Sequence, residues 1–179
     1  GVPLNGGMSG SRRFLVAVTA VVVAIVLLVV LREQAARLGQ AADEQLSAGA
    51  PSIDVVGDSS GGVVSRVWAD ELGGAGVARR VVTLGSPHHG TRAARFAAAF
   101  GPDVCPMACR QLVPGSDLLA TLEETPDGPA WTAVWTAQDQ VVTPPESAKL
   151  DGAVNVKVQD VCPTPGSIGQ PNPSRSASR

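Results

Sequence analysis

The sequence has no tyrosine and only three phenylalanines and three tryptophans among its 179 residues. So few aromatic side chains provide no row of stacking platforms for nucleic-acid bases. The formal net charge is −2, from 14 basic and 16 acidic side chains. That balance gives no basic stripe for a phosphate backbone, so we expect no nucleic-acid partner. Hydrophobic residues make up 44% of the chain, which excludes disorder throughout.

Cysteine and histidine are also scarce. The three cysteines are Cys105, Cys109 and Cys162, so one disulfide can form and one thiol is left over. A local Cys105–Cys109 bridge and a long-range bridge to Cys162 are both open, because spacing alone does not choose between them. No histidine lies near enough in sequence to suggest a zinc site, and no motif implies a metal or an organic cofactor.

A long apolar run stands near the N-terminus. Residues 14–31 carry no charge and directly follow Arg12 and Arg13. A helix of that length spans roughly 27 Å, about one bilayer core. A signal anchor is favoured over a cleaved signal peptide because no clear cleavage site follows, and a buried core helix is the third alternative. The paired arginines predict a cytoplasmic segment 1–13 and an exported C-terminal part, anchored in the membrane or secreted after cleavage.

The rest of the chain divides into residues 32–162 and a Pro/Ser-rich tail, 163–179, that we expect to be disordered. Hydrophobic spacing predicts helices over 32–47, 63–72, 92–100 and 111–122, the last interrupted near Pro114, and strands over 52–56, 79–84, 131–136 and 154–158. Apolar strands alternating with helices indicate an α/β fold, with a mostly parallel sheet flanked by helices and preceded by the N-terminal apolar helix.

One motif points to chemistry. Gly57-Asp58-Ser59-Ser60-Gly61 fits the pattern G-x-S-x-G between a predicted strand and a predicted helix, as a nucleophile elbow requires. Ser59 would be the nucleophile, the backbone N–H of Ser60 would face the oxyanion, and Gly57 and Gly61 would keep the flanks of a strained turn small. A plain Gly/Ser loop is the alternative.

Several blocks of the sequence, in order, resemble one family. IDVVGDSSGGVVSRVW, RRVVTLGSPHHGT, ACRQLVPGSDLL and WTAVWTAQDQVVTPPESAKLDGAVNVKVQ are similar to the class 2 lipases of the α/β-hydrolase superfamily, especially the secreted actinobacterial type. The resemblance covers about residues 33–162. It implies a lipase or esterase that cleaves carboxylic esters such as acylglycerols through an acyl-enzyme, with a lipid or ester substrate and no cofactor.

The same resemblance assigns the catalytic acid to Asp139, just after the third predicted strand. Independently, a carboxylate at the C-terminal end of a strand is well placed to orient a histidine. A turn residue before the prolines at 144 and 145 is the alternative interpretation. Asp117 is a weaker candidate, because Ser116-Asp117 is typical of a helix cap.

The general base departs from the family pattern. It should be a histidine after the last strand, but the two histidines, His88 and His89, both precede Asp139. They lie in the GSPHHGT block, where we expect them to line a pocket or support the structure. Without a third histidine, the chain's catalytic activity is in doubt, and the tail after Cys162 could be a frameshift product.

The number of residues available for folding also indicates an incomplete hydrolase. A strand and helix take roughly 25–30 residues, so the eight strands of an α/β-hydrolase need about 200. Residues 32–162 therefore predict a partial α/β-hydrolase, apparently truncated at both ends. The alternatives to a hydrolase are an inactive exported remnant and a membrane-anchored, non-enzymatic binding protein on a hydrolase scaffold.

Overall fold

The computed structural model describes residues 30–161. The helices are α1 (Val30–Ser47), α2 (Ser60–Glu71), α3 (Arg92–Ala98), α4 (Met107–Gln111), α5 (Asp117–Thr121) and α6 (Val158–Val161). The strands are β1 (Ile53–Asp58), β2 (Ala78–Leu84), β3 (Ala130–Trp135) and β4 (Val154–Lys157). Short 3₁₀ turns cover Gly74–Gly76 and Pro145–Ala148.

The four strands form one sheet in the order β1-β2-β3-β4, and each neighbouring pair is parallel. This confirms the predicted fold class, a parallel sheet flanked by helices. Because all strands run the same way, their carboxyl ends meet at one edge, where open α/β sheets place their ligands. Segments that follow β1 and β3 are therefore neighbours in space, although they are far apart in sequence.

Helices α1 and α2 pack against each other and form the main core with the sheet. Alternate residues of the strands face this core: Val55 in β1, Val81 in β2 and Ala133 in β3 are buried. Trp68 of α2 is the most deeply buried tryptophan of this core, only 2% exposed. A side chain at Gly74 would collide with its indole ring, so the chain approaches Trp68 closely there.

Element boundaries differ from the predictions near the turns. Strand β1 continues to Asp58, and α2 begins at Ser60, three residues before the predicted start. The single residue Ser59 thus joins strand to helix. Within the range 111–122 that was predicted as a helix, the helical part is α5, Asp117–Thr121, because α4 already ends at Gln111. Ser116 caps α5 by accepting a hydrogen bond from the backbone N–H of Leu119.

The predicted membrane span lies outside the described residues except for its last two positions. Val30 and Leu31 open α1, and Leu31 is 1% exposed, with its N–H donated to Oε1 of Gln111. Within residues 30–161, none of the helices combines the length and the apolar character needed to cross a bilayer. Segment 1–13 and the tail 163–179 also lie outside the described residues, so these boundaries stay predictions.

Candidate active site

Ser59 has an unusual backbone. Its dihedral angles are φ 50° and ψ −124°, and it is the single non-glycine residue with positive φ among residues 30–161. Such a conformation costs about 1–3 kcal/mol in a non-glycine residue and is found mainly at functional sites. The N–H of Ser59 donates to the carbonyl of Leu84 at the end of β2, 2.9 Å away, which holds the turn against the sheet edge.

The turn is tight on both sides of Ser59. A Cβ at Gly57 would lie 2.6 Å from the backbone N of Gly62, so the strand needs a glycine there. At Gly61, by contrast, an added Cβ would meet no atom within 4 Å. The second tight position is Gly62, where a side chain would collide with the hydroxyl of Ser86. The close approach that the motif suggests at Gly61 therefore falls one residue later.

Ser60 is the first residue of α2. The first N–H groups of a helix have no acceptor within the helix, and the helix dipole makes this end attractive to negative charge. The N–H of Ser60, directly after Ser59, therefore lies at this end of the helix. This position agrees with the role predicted for it, which remains a prediction.

Asp139 follows β3 at the same edge of the sheet. Its Oδ1 accepts hydrogen bonds from the backbone N–H groups of Val141 (2.9 Å) and Val142 (2.8 Å). Its Oδ2 lies over Gly85, since a Cβ added there would be 3.3 Å away. The two N–H donors fix the carboxylate through one oxygen and leave the second directed towards the end of β2.

Ser59 and Asp139 share one cleft of about 480 Å³ at the carboxyl ends of β1, β2 and β3. Its walls are mostly hydrocarbon, and the residues that line it are Asp58, Ser59, Leu84, Gly85, Val134, Trp135, Thr136, Asp139, Val141, Val142 and Val158. The structure thus brings together two of the residues singled out in the sequence, which are 80 positions apart. A hydroxyl and a carboxylate in an apolar cleft suit a reaction at a polar group carried on an apolar molecule.

His88 does not line this cleft. It is 1% exposed, and its Nε2 lies 3.0 Å from Oγ1 of Thr83 in β2. Burial lowers the pKa of His88 well below its usual value, and the nearby charge of Arg66 acts in the same direction. The ring is therefore neutral, and it packs in the interior behind the sheet edge.

His89 lies elsewhere again. Its Nδ1 is 3.3 Å from the carbonyl of Ser147, and its Nε2 is 3.0 Å from Oε1 of Glu124. It lines a separate cavity of about 300 Å³, together with Gly90, Pro114, Pro144, Glu146 and Ser147. Neither histidine is therefore among the residues that line the cleft of Ser59 and Asp139.

Sequence reasoning missed Arg66 of α2. Its side chain is completely buried and donates hydrogen bonds to the carbonyls of His88 (3.0 Å) and Glu123 (2.7 Å). A third bond reaches the carbonyl of Leu122, and the carboxylate of Glu124 lies 3.6 Å away. Arg66 therefore ties the GSPHHGT loop and segment 122–124 to the helix that carries the elbow. Its helical position in the sequence gave no sign of this role.

Thr91 is a second residue that the sequence did not indicate, and it is hydrogen-bonded to the loop that carries Asp139. Its Oγ1 donates to the carbonyl of Val141 (2.6 Å) and accepts from the N–H of Thr143 (3.0 Å). The same oxygen caps α3 by accepting from the N–H of Ala93. Thr91 therefore fixes the segment whose N–H groups hold Asp139. The only sequence signal was a threonine before a helix.

Asp117 and the cysteines complete the residues singled out in the sequence. Asp117 is the first residue of α5 and is not among the residues that line the cleft. A disulfide joins Cys105 and Cys109, which is the local of the two pairings that spacing left open. Cys162 lies outside the described residues.

No protein-family model matches the sequence, and no curated protein matches it significantly. Solved structures do. The mature form of Bacillus licheniformis lipase BlEst2 is similar with a TM-score of 0.58 and 19% identity, over 71% of this chain and 65% of that one. The propeptide form of the same lipase gives a TM-score of 0.59 and 21% identity, over 70% of this chain and 35% of that one.

The described chain thus spans less than two thirds of the lipase chains that it matches. At this level of identity the likeness concerns the fold. It supports a lipase-like α/β-hydrolase scaffold, whereas the narrower class 2 family stays a prediction. The four-stranded sheet, with Ser59 and Asp139 at its edge, is therefore part of an α/β-hydrolase fold like that of a bacterial lipase.

Proposed function

We propose that this chain carries the nucleophile and the acid of a serine ester hydrolase of the lipase or esterase type. The observation that carries the proposal is the strained backbone of Ser59 at a strand–helix turn, in one cleft with Asp139. A plain Gly/Ser loop needs neither the positive φ nor the close approach at Gly57. The lipase-like fold supports the same assignment.

The reaction would be acyl transfer to Ser59. The hydroxyl oxygen of Ser59 attacks the ester carbonyl, its proton passes to a base, and the alcohol leaves with a proton returned by that base. Water then hydrolyses the acyl-enzyme in the same way. The N–H of Ser60 stabilises the oxyanion, and Asp139 orients the base and stabilises its charged form.

The walls of the cleft suggest the substrate class. Leu84, Val134 and Val158 line the cleft together with Ser59 and make its walls mostly hydrocarbon. Such a surface fits the acyl part of an ester and leaves few polar groups to bind a charged substrate. A lipid or another ester with an apolar acyl group is therefore the proposed substrate.

The base is the part that this chain does not place in the cleft, since both of its histidines lie elsewhere. Without a base the serine is a weak nucleophile; in subtilisin, loss of the base alone lowers turnover by on the order of 10⁶. We therefore expect very slow acylation of Ser59 in this chain alone. Free imidazole is small enough for the cleft and can take the place of a histidine side chain.

A fluorophosphonate probe tests the proposal. The oxygen of Ser59 forms a bond to phosphorus, fluoride leaves, and imidazole accepts the hydroxyl proton. We expect labelling at Ser59, located by peptide mass spectrometry, to accelerate at least tenfold with added imidazole. Ser59→Ala should abolish labelling, and Ser60→Ala should retain it, because Ser60 contributes its backbone N–H.

The proposed role of Asp139 is tested by a matched pair of variants. Asp139→Asn should remove most of the acceleration by imidazole, because an amide no longer stabilises the imidazolium that forms. Asp117→Asn changes a carboxylate outside the cleft and should keep the full acceleration. Circular dichroism would verify that both variants fold. Equal acceleration in the two variants would remove Asp139 from the mechanism.

A non-enzymatic binding protein on a hydrolase scaffold is the second candidate function. The placement of both histidines away from the cleft favours it. Folded protein that is not labelled at Ser59, even with imidazole, would contradict the hydrolase and leave the non-enzymatic alternatives.

A further inference from the structure

An aromatic surface projects from α3 and the loop after it, outside the proposed active site. Phe96, Phe100 and Val104 are 70%, 62% and 57% exposed. The two rings meet edge to face, with their centroids 4.9 Å apart. These are the only phenylalanines in residues 30–161, and both lie in solvent. Exposed apolar clusters of this kind mark surfaces that bind a partner or a membrane.

A disulfide and backbone hydrogen bonds stabilise the segment that carries the aromatic surface. The Cys105–Cys109 disulfide closes the end of the loop, and Cys105 is completely buried. The N–H groups of Val104 and Cys105 both donate to the carbonyl of Gly101, at 3.3 and 3.0 Å. The sulfur of Cys105 lies 3.7 Å from the carbonyl of Ala94, beneath α3. The disulfide and these hydrogen bonds therefore stabilise the segment from which the two exposed rings project.

The charges around the aromatic surface are mainly positive. Arg92, Arg95 and Arg110 are exposed in this segment, against the single acid Asp103. In a chain whose net charge is −2, this segment is locally cationic. Aromatic side chains flanked by arginine are typical of segments that lie in the interface of a bilayer and are attracted to anionic lipids.

We propose that the aromatic surface binds the surface of a lipid bilayer that contains anionic lipids. Phe96, Phe100 and Val104 would enter the interface, with the arginines at the headgroups. This binding does not depend on residues 14–31, and it goes beyond the proposed hydrolysis because no chemistry at Ser59 is needed.

The aromatic surface lies on a helix that is hydrogen-bonded to the rim of the proposed active-site cleft. The hydroxyl of Thr91, at the start of α3, donates to the carbonyl of Val141, and the N–H of Arg92 donates to the carbonyl of Thr143, 2.8 Å away. Val141 is 67% exposed and lines the cleft of Ser59. The start of α3 is therefore hydrogen-bonded to the rim of that cleft, and we expect a bilayer bound by α3 to lie beside it.

A tryptophan reporter in the full chain tests the proposal. The native Trp68, Trp131 and Trp135 are 2%, 5% and 7% exposed, and any quenching of the unsubstituted chain is measured first and subtracted as background. Phe100→Trp places a new indole on the aromatic surface. Leu72→Trp is the matched control, because Leu72 is 47% exposed and lies at the far end of α2 from Ser59. Each protein is mixed with vesicles that carry brominated acyl chains, made of phosphatidylcholine alone or with phosphatidylglycerol.

We expect the Phe100→Trp fluorescence to be quenched by vesicles that contain phosphatidylglycerol, and less at high salt. Leu72→Trp should not be quenched. Adding Arg92→Gln or Arg110→Gln to the reporter should weaken vesicle binding by about fivefold each.

Three results would overturn the proposal. The first is an unquenched Phe100→Trp, and the second is equal quenching of both reporters, as expected for a chain attached only through residues 14–31. The third is self-association in solution that buries the new indole and is lost in Phe96→Ser, which would assign the surface to a second copy. None of these outcomes depends on whether Ser59 reacts with esters.

Discussion

The strand–helix turn at Ser59 requires glycine at two positions, Gly57 and Gly62, for two different steric reasons. A side chain at Gly57 would collide with the backbone at Gly62, and one at Gly62 would collide with Ser86, whereas one at Gly61 would meet open space. The strain at Ser59 persists because these contacts fix the backbone on either side of it. The backbone of Ser59 is therefore positioned by the absence of side chains at neighbouring residues, and alanine substitutions at Gly61 and Gly62 should change stability in opposite directions.

Gly62→Ala and Gly61→Ala form a matched pair within one turn of α2. The first adds a methyl group against Ser86 and should lower the free energy of unfolding by about 1–3 kcal/mol. The second adds a methyl group in open space and should raise it by up to about 1 kcal/mol, because alanine favours a helix more than glycine does. Urea unfolding measures both. Equal effects would contradict the steric reason given for Gly62.

His88 predicts a dependence of stability on pH. Its pKa in the folded state lies well below the usual 6.5, so the unfolded chain takes up the proton first as the pH falls. Stability is therefore complete above about pH 6.5 and decreases below it, by at most about 1.4 kcal/mol per pH unit. The free energy of unfolding, measured in urea between about pH 7 and pH 5, should show this slope.

Two variants separate His88 from other groups. His88→Gln should flatten the slope, whatever its effect on stability at neutral pH. His89→Gln is the matched control, because it removes the neighbouring histidine, which lies half-exposed at the surface. The lowered pKa of Asp54, which is caused by its hydrogen bond to Arg79, acts only near pH 3.8 and below. A slope unchanged in His88→Gln would refute the assignment.

At the scale of elements, α2 is connected to distant loops through Arg66. Replacement by methionine keeps the hydrocarbon but leaves the carbonyls of His88, Leu122 and Glu123 without their donor. We expect Arg66→Met to lower the free energy of unfolding by about 3–5 kcal/mol, as for other broken buried charge networks. Arg37→Met is the control: Arg37 is 72% exposed, and its loss should change stability by less than about 0.5 kcal/mol. Similar losses in the two variants would show that the buried bonds of Arg66 contribute little.

The elements themselves were largely predictable, because apolar runs and helical spacing are local signals. All four strands and the parallel sheet follow from them. The partners of Arg66 and Thr91 were not predictable, since they lie 57 and 50 residues away at Glu123 and Val141. The disulfide was undecided for a related reason: spacing permits a pairing, but only the fold of the loop selects it. Sequence therefore indicated Ser59 and Asp139 and missed the residues that hold them.

At the scale of the whole molecule, the two predicted catalytic residues rest on separate hydrophobic clusters. Ser59 is joined to the main core through α2 and β1, which contribute Trp68 and Val55 to it. Asp139 is followed by Val142, which belongs to a small second cluster with Trp135 and Ala148. The ammonium groups of Lys149 and Lys157 lie 4.5 and 5.6 Å from the ring centroid of Trp135. Three buried side chains and two cation–π contacts give this second cluster much less buried surface than the main core has.

Amide hydrogen exchange should reveal this division. The N–H groups of Val141 and Val142, which hold Asp139, should exchange through a local opening that costs less free energy than global unfolding. The N–H of Val81, in the centre of β2 and fully buried, should exchange only on global unfolding. Thr91→Val removes the hydroxyl bond to Val141, so it should speed exchange at Val141 and Val142 and leave Val81 almost unchanged. Exchange of all three amides at one rate would mean that the cleft opens only with the whole sheet. With separate rates, the elbow is a fixed part of the fold, and the carboxylate is the part whose position can adapt when a base and a substrate bind.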